Sequence, residues 1–276
     1  MGCQNSHGQN KHWFGNIHFS GPCNRSCYFC VGQFMMEQDR YNNLKDFPPK
    51  GIDTFIKELN DRNISEVNLT GTNTDPSLYE HIQDLKNVLD QKIDLNIFGI
   101  RTNGVKDLEW SIFDQISISC HGVSKAIYQK MMGGGEVPDI ARVVNQASCP
   151  VRINFVLSPF NLSDLSFSLR HFKNCGIESV NLREPYGQPL VGNPFANLEP
   201  DGYIHDMPFY SIDGLKVVYW DVNFCSVDSV NLYADGHVSI AYPITKGCIE
   251  SDLGEVLKPK LYGEHQRIHR QWVSGV

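Results

Sequence analysis

Three cysteines stand within eight residues near the start of the chain, at Cys23, Cys27 and Cys30. Their spacing is C-x3-C-x2-C, and Phe29 directly precedes the last of them. Thiolates are soft ligands that select zinc, copper(I) or iron–sulfur clusters. A structural zinc site normally completes its tetrahedron with a fourth Cys or His, yet the next such residue after Cys30 is His81. The motif therefore favours a [4Fe–4S] cluster in which one iron stays open for a ligand.

The hydrophobic pattern predicts strands that alternate with amphipathic helices, which is typical of an α/β fold with parallel strands. Six strands are expected at residues 15–20, 66–70, 95–101, 115–120, 151–157 and 179–183. Five helices are expected near residues 51–60, 77–89, 124–132, 139–146 and 163–174. The cysteine motif then lies in the loop after the first strand, at the carboxyl edge of the sheet.

Composition excludes several classes of protein. The formal net charge is −7, whereas a protein that coats nucleic acid is usually basic, so we expect no nucleic-acid partner. The cysteine count of nine is odd and low for a disulfide framework, and no apolar run is long enough to span a membrane. We expect a cytoplasmic protein without a membrane partner, although residues 1–6 fit the M-G-x-x-x-[ST] acylation pattern.

The chain divides into four expected parts: an N-terminal segment at 1–14, a barrel at 15–186, a linker or active-site cover at 187–215, and a C-terminal extension at 216–276. The linker is rich in Pro, Gly and Asn and shows no sustained period. In the extension we expect strands at 217–224 and 230–242, a turn at 234–236 and a helix at 251–258.

The cysteine motif after a first strand, followed by Thr102-Asn103-Gly104 at the end of the third, resembles the radical S-adenosylmethionine (SAM) superfamily. The resemblance covers about residues 15–185. It implies a partial (β/α)6 TIM-type barrel with a small C-terminal α/β extension made of a hairpin and a helix. It also implies a [4Fe–4S] cluster on Cys23, Cys27 and Cys30, with SAM at the carboxyl ends of the strands.

The same resemblance implies which residues bind SAM. Family members carry a Gly-Gly-Glu-like segment after the second strand that receives the methionine amino group, and this chain departs from it with Gly71-Thr72-Asn73-Thr74-Asp75-Pro76. A literal Gly-Gly-Glu at 134–136 lies far from the second strand and is set aside. The cofactor-binding residues implied are Phe29, Gly71, Thr72, Asn73, Asp75, Ser117, Ser119, Asn154 and Arg183.

The C-terminal part resembles the SPASM and Twitch extensions of that superfamily, which begin C-x(9–15)-G-x4-C. Cys225 and Gly236 fit the first half, but Ala241 stands where the second cysteine is expected. We therefore expect a Twitch-like extension that lacks a cluster. The alternative is a second cluster held by Cys225, Cys248 and either Cys175 or His237.

Two further residues are candidates for direct catalysis. Cys120 ends the fourth predicted strand and could return a hydrogen atom to the substrate, or it could be an ordinary core thiol. Glu184 follows Arg183 at the end of the sixth strand, where the pair could contact adenine, a carboxylate or the substrate, or could form a structural ion pair.

The resemblance implies reductive cleavage of SAM to a 5′-deoxyadenosyl radical, with an electron donor such as flavodoxin or ferredoxin. The expected substrate is a small polar metabolite, nucleoside or sugar, and the reaction could be a dehydration, dehydrogenation, epimerisation or rearrangement. One alternative is a peptide-modifying maturase, although the roughly 14 residues before the first strand are expected to hold no peptide-recognition domain. The remote alternative is a non-enzymatic zinc-binding protein with a distant fourth ligand.

Overall fold

The computed structural model describes residues 12–33, 41–185, 191–220 and 228–240. Several predictions fall outside these ranges: the acylation-like match at 1–6, the helix at 251–258, Cys225 and Cys248. Among the described residues, no helix is both long and apolar enough to cross a membrane.

The eleven strands of the described ranges form a single sheet. The first six are β1 Trp13–Phe19, β2 Glu66–Gly71, β3 Ile97–Thr102, β4 Gln115–Ser119, β5 Val151–Val156 and β6 Ser179–Arg183. Each is parallel to the next. These elements confirm the predicted α/β class and the parallel core of the barrel.

Five α-helices accompany the strands: α1 Ile52–Asp61, α2 Ile82–Lys92, α3 Lys125–Met132, α4 Ile140–Gln146 and α5 Leu165–Asn174. The second helix begins five residues later than the predicted residue 77. A 3₁₀ turn at Pro76–Leu78 occupies its expected start, because the Asp75 carboxylate accepts the Ser77 amide at 3.0 Å and fixes a separate turn there.

The two faces of the curved sheet differ in polarity. In β4, Ile116 and Ile118 are fully buried in the apolar core, whereas Ser117 and Ser119 line an interior cavity. Successive side chains of a strand point to opposite faces. The alternation therefore assigns one set of residues to packing and the other to a polar interior, where a site can form.

Two strands beyond the predicted barrel also belong to the parallel sheet. β9 Leu215–Trp220 pairs in parallel with β6, and β10 Asp228–Leu232 pairs in parallel with β1. Val217 and Val230 are fully buried in the same core as the first six strands. In the described ranges the sheet thus has eight mutually parallel strands. The predicted boundary at residue 186 would separate β9 from its partner β6 and β10 from its partner β1.

The remaining strands form short antiparallel additions. β7 Gly202–Ile204 and β8 Met207–Ile212 make a hairpin on the edge of β9, within the segment expected to be a linker or cover. Ile204 and His205 at the tip of this hairpin line the interior cavity. The predicted turn at 234–236 is present, since it joins β10 to β11 Val238–Ser239.

Candidate active site

One cavity of about 880 Å³ occupies the inside of the curved sheet. It is lined by every residue that the sequence predicts to bind the cluster or SAM: Cys23, Cys27, Phe29, Cys30, Gly71, Thr72, Asn73, Asp75, Ser117, Ser119, Asn154 and Arg183. Residues that are far apart in sequence thus face a common space.

The cysteine loop is held against the end of α3. The Ser26 amide donates to the Met132 carbonyl at 3.1 Å, and the Ser26 hydroxyl donates to the Gly133 carbonyl at 3.1 Å. A Cβ on Gly133 would lie 2.2 Å from the Ser26 carbonyl oxygen, so only glycine permits this contact. Arg25 donates to the Glu136 carbonyl at 3.2 Å. The Gly-Gly-Glu segment at 134–136, set aside in the sequence, therefore supports the cysteine loop from outside.

The loops after β1, β2 and β3 are tied to one another by hydrogen bonds. The Thr74 hydroxyl donates to the Pro22 carbonyl at 2.6 Å, and the Gly21 amide donates to the Asn73 side chain at 3.0 Å. From the third loop, the side-chain Nδ2 of Asn103 donates to the side-chain oxygen of Asn24 at 2.6 Å. A shift of any one loop would break bonds to the others, so the three form one rigid edge of the cavity.

Asp75 is the buried link between the second and third loops. Besides Ser77, its carboxylate accepts from the Thr102 hydroxyl and the Asn103 amide, each at 2.6 Å. A Cβ on Gly71 would lie 1.8 Å from the Thr74 carbonyl, which explains why the turn starts on glycine. The predicted role of Asp75 toward the methionine amino group stays a prediction; its visible role is to fix the end of β3.

The three thiols influence one another electrostatically. The pKa of Cys27 is raised to about 12, first by burial and then by the neighbouring thiols of Cys30 and Cys23. Burial likewise raises the pKa of Cys23. A bound iron reverses this effect, because metal coordination deprotonates a thiol outright. Three such sulfurs on one cavity wall suit a [4Fe–4S] cluster, in which each cysteine binds a different iron. A site for a single metal ion is a different arrangement, and in the described ranges no three His, Cys, Asp or Glu side chains are grouped to form one.

His121 stands beside this wall, and the sequence-based set of cofactor residues omits it. Its ring lies edge-on to Phe29 at 4.8 Å between centroids, and its Nδ1 accepts the Val156 amide at 2.9 Å. Burial lowers the pKa of His121 to about 3, and the nearby Arg183 adds to this effect. The ring is therefore neutral and carries its proton on Nε2. Strand phase agrees with this position, since His121 is two residues beyond Ser119, and the end of the fourth strand had marked it as a residue that could face the substrate.

A set of uncharged polar residues crosses the middle of the cavity on adjacent strands. We call Ser119, Asn154 and Asn181 the neutral row; they occupy paired positions on β4, β5 and β6. Asn181 donates to the Asn154 side-chain oxygen at 3.4 Å. The sequence analysis identified the first two members and missed Asn181, although its strand phase is the same.

A second set of paired positions carries positive charge. We call Arg101, Ser117, Arg152, Ser179 and Lys216 the basic row, because they are matched in register across β3, β4, β5, β6 and β9. The Arg152 Nε donates to the Ser117 hydroxyl at 2.7 Å. Ser117, implied by the resemblance to bind SAM, thus has an arginine partner. None of the three cations was identified from the sequence.

Cys120 does not reach the cavity. It is fully buried in the apolar core, and its thiol donates to the Gly122 carbonyl at 3.4 Å. Ser119 and His121 on either side face the cavity, so alternation directs Cys120 toward the helices. This burial favours the alternative of an ordinary core thiol, and the return of a hydrogen atom by Cys120 stays an untested prediction.

Glu184 lines the cavity next to Arg183. Its carboxylate accepts the amides of Val191 and Gly192, the first at 3.2 Å. Glu184 thus anchors the chain at Val191 and Gly192 beside β6. A contact from either residue to adenine or substrate stays a prediction.

The two described candidates for a second cluster lie at different places in the sheet. Cys175 ends α5, before β6, with its sulfur 3.5 Å from the His171 Nε2. His237 follows β10, next to β1, and its Nδ1 lies 2.6 Å from the Asp235 carboxylate. Cys225 and Cys248 are outside the described ranges, so the choice between a lost and a second cluster stays open.

Curated relatives with similar sequences are named probable GTP 3′,8-cyclases. That of Sulfurisphaera tokodaii is 26% identical over 185 residues, which cover 63% of this chain and 56% of the relative. That of Methanocaldococcus jannaschii is 21% identical over 281 residues, which cover 90% and 89% of the two chains. The chain spans about half the length of the first of these relatives. No family model matches the chain.

Solved structures with a similar arrangement include SuiB of Streptococcus suis bound to its precursor peptide SuiA. It has a TM-score of 0.49 and 16% identity, over 64% of this chain and 40% of SuiB. Coproporphyrinogen III oxidase HemN from Escherichia coli, described as a radical SAM enzyme, has a TM-score of 0.45 and 14% identity, over 65% and 45% of the two chains. The chain is thus similar in sequence to probable GTP 3′,8-cyclases, and its parallel sheet carries a three-cysteine motif that resembles that of the radical SAM superfamily.

Proposed function

We propose that the chain is a radical SAM enzyme that abstracts hydrogen from a small polar metabolite, nucleoside or sugar. The observation that carries the proposal is the shared cavity, which the cysteine triad and two rows of inward polar side chains line together. Polar groups at fixed positions inside a cavity serve to orient a ligand, whereas an apolar interior serves only to pack.

Cys23, Cys27 and Cys30 would hold the cluster on the loop that Ser26 fastens to α3. A bound cluster supplies the electron that cleaves SAM to methionine and a 5′-deoxyadenosyl radical. The linked loops after β1, β2 and β3 keep the cysteines and the 71–75 segment at a constant separation, so that SAM is oriented before cleavage.

Three further groups act on what lies next to the cluster. Phe29 offers a ring edge and face at the cavity wall, and His121 offers an Nε2–H donor that burial keeps neutral. The neutral row gives hydroxyl and amide groups to the middle of the cavity. Such uncharged donors and acceptors suit the hydroxyls of a sugar or the edge of a base.

The names of the relatives supply a first compound to assay. They are probable GTP 3′,8-cyclases, so guanosine nucleotides belong at the head of a panel of nucleosides, sugars and their phosphates. A peptide substrate remains the rival class.

The test is anaerobic reconstitution of the chain, followed by incubation with SAM and dithionite. We expect 5′-deoxyadenosine and methionine in equal amounts. Cys27→Ala should lose both the cluster and the product, because all three cysteines are needed to hold a cluster whose fourth iron stays open. Fully clustered protein that yields no 5′-deoxyadenosine would overturn the proposal.

A matched control is Cys149→Ala. This cysteine packs against the core and does not line the cavity. It should retain the iron content and SAM cleavage of the unaltered chain, so loss of activity in Cys27→Ala alone is specific to the loop.

A further inference from the structure

We infer that the basic row binds an anionic group of the substrate, a phosphate or a carboxylate, inside the barrel and away from the cluster. The inference deepens the proposed function, because it names the charge of the substrate and the end of the cavity where that charge lies. It rests on the register of the strands and on the hydrogen-bonding state of two arginines.

Register brings the basic row together. Arg101 pairs with Ser117, and Ser117 pairs with Arg152 on the next strand. Arg152 pairs with Ser179, which pairs with Lys216. Cations and hydroxyls therefore alternate over five neighbouring strands, and all five side chains line the cavity. Neighbouring strands are about 4.8 Å apart, so a single anion can reach several members of such a row.

Within the described ranges, no carboxylate forms an ion pair with Arg101 or Arg152, although the Glu66 carboxylate acts on Arg152 at longer range. Arg101 makes a cation–π contact, with its guanidinium carbon 5.5 Å from the centroid of the Phe14 ring. The Arg152 Nε donates to Ser117, and the side chain lines the cavity, so its terminal nitrogens are available to a ligand there. A fork of free N–H donors is the geometry that binds phosphate and carboxylate oxygens.

The arginines also repel each other. The pKa of Arg152 is lowered to about 10, first by burial and then by the charge of Arg101, while the Glu66 carboxylate acts in the opposite direction. Two like charges in a partly buried site cost free energy unless an anion lies between them. Lys216, the third cation, is exposed and has its ammonium 4.4 Å from the Phe209 ring centroid.

One carboxylate, Glu66, lies in the same half of the cavity, and its oxygens already have donors. His12 lies 3.0 Å from one oxygen, and Asn68 donates to the other at 2.8 Å. Glu66 therefore offsets one of the three positive charges of the basic row at most, and the region keeps a net positive charge.

The position of the row orients the ligand. The cysteines follow the carboxyl end of β1, whereas the Arg101 guanidinium lies over Phe14, near the amino end of that strand. The neutral row lies between, one inward position beyond Ser117 and Arg152 on β4 and β5. A substrate held by its anion on the basic row would place its uncharged carbon framework along the neutral row, toward SAM.

Isothermal titration of the anaerobic, cluster-loaded protein tests the site directly. The titrants are pyrophosphate, inorganic phosphate and succinate, each at constant ionic strength balanced with chloride. We expect one saturable anion site per chain, and Arg152→Gln and Arg101→Gln should each weaken binding at least about tenfold. Tighter binding of the phosphates identifies a phosphorylated substrate, and tighter binding of succinate identifies a carboxylic acid.

Arg142→Gln is the control. This arginine is on α4, paired with Asp107 at 2.9 Å outside the cavity, and its loss should leave anion binding unchanged. If Arg152→Gln fails to fold, the anion affinities of Arg101→Gln and Lys216→Gln are compared with that of the unaltered protein instead. Absence of binding to all three titrants, or equal affinity in the variants and the unaltered protein, would overturn the inference.

The outcome is independent of SAM cleavage. A chain that cleaves SAM but binds no anion retains the proposed function and loses this site. A chain that binds anions through Arg152 but never cleaves SAM keeps the site and loses the proposed function.

Discussion

Two buried histidines on the inner face of the sheet make stability depend on pH. Burial lowers the pKa of His18 to about 4, against 6.5 for an ordinary histidine, and burial lowers that of His121 to about 3. His18 lies against Asn231, near Arg101 and His237, with its ring stacked on Tyr233 at 4.9 Å. Both rings are therefore neutral in the folded chain over the physiological range.

The sign of the effect follows from proton binding. Between pH 6.5 and about 4 the unfolded chain protonates His18 and the folded chain does not, so stability falls as the pH drops through this window. From pH 7 to pH 5 the loss from His18 is about 2 kcal/mol, and His121 adds a similar loss.

Urea unfolding of the unaltered chain and of His18→Gln at pH 7 and pH 5 measures this loss. The variant should lose about 2 kcal/mol less stability over that interval, since glutamine does not titrate. His205→Gln, at an exposed histidine, should behave as the unaltered chain does. Equal pH dependence in the unaltered chain and His18→Gln would contradict a buried neutral imidazole.

The sequence could predict some site residues and not others, for a physical reason. Cys23, Cys27 and Cys30 are identified by their spacing alone. Ser119 and Asn154 follow from strand phase, once the cluster loop fixes which end of the sheet matters. Arg101 and Arg152 cannot be identified in this way. A strand that alternates apolar and charged residues has the same sequence pattern whether its polar face meets solvent or a closed cavity.

At the scale of elements, the site depends on how loops pack, and Gly133 shows this most directly. It ends α3 in the left-handed region at φ 74°, and a Cβ there would meet the Ser26 carbonyl at 2.2 Å. Gly133→Ala must therefore move the backbone of the cysteine loop. We expect iron incorporation to fall at least severalfold, with SAM cleavage falling in proportion.

Gly214→Ala separates this displacement from simple backbone strain. Gly214 has φ 73°, so alanine there bears the same left-handed strain of about 1 kcal/mol, but its nearest neighbour is the Lys173 ammonium at 3.6 Å. Iron per chain, measured on both reconstituted variants, should be normal in Gly214→Ala only. Normal iron in both would show that the loop does not depend on its contact with α3.

Element boundaries were predictable where a period was sustained. The apolar stripe of α1, with Phe55 and Leu59 at zero exposure, appears as expected. The hairpin β7–β8 was missed because β7 has only three residues and the segment around it is rich in Pro, Gly and Asn without a sustained period. The start of α2 was misplaced because the turn capped by Asp75 has no hydrophobic period to reveal it.

At the scale of the whole molecule, charge is divided between surface and interior. The chain has 31 acidic against 24 basic residues, so its overall field does not favour polyanions. Five of those cations nevertheless line one cavity: Arg25, Arg101, Arg152, Arg183 and Lys216. Net charge thus disfavours a nucleic-acid coat, yet it carries no information about a small anion that enters the barrel.

The largest difference between sequence and structure is the membership of the sheet. Parallel partners are set by long-range pairing, and the strand at residues 215–220 carries no local mark that its neighbour is β6. A change in composition after residue 186 therefore suggested a boundary, whereas β9 and β10 continue the sheet on its two sides.

This membership predicts how the molecule unfolds. Val230 in β10 is fully buried beside β1, in the core that β2 to β5 share. Val230→Ala should therefore lower the stability of the whole sheet by about 2 kcal/mol, through lost packing and a residual cavity. Native-state hydrogen exchange of peptides from β2, β4 and β10 should show the same decrease in protection.

Val238→Ala, at a partly buried site on β11, should leave β2 and β4 unchanged. If Val230→Ala accelerates exchange in β10 and β11 alone, the C-terminal strands unfold as a separate unit, and the eight parallel strands are not one cooperative structure.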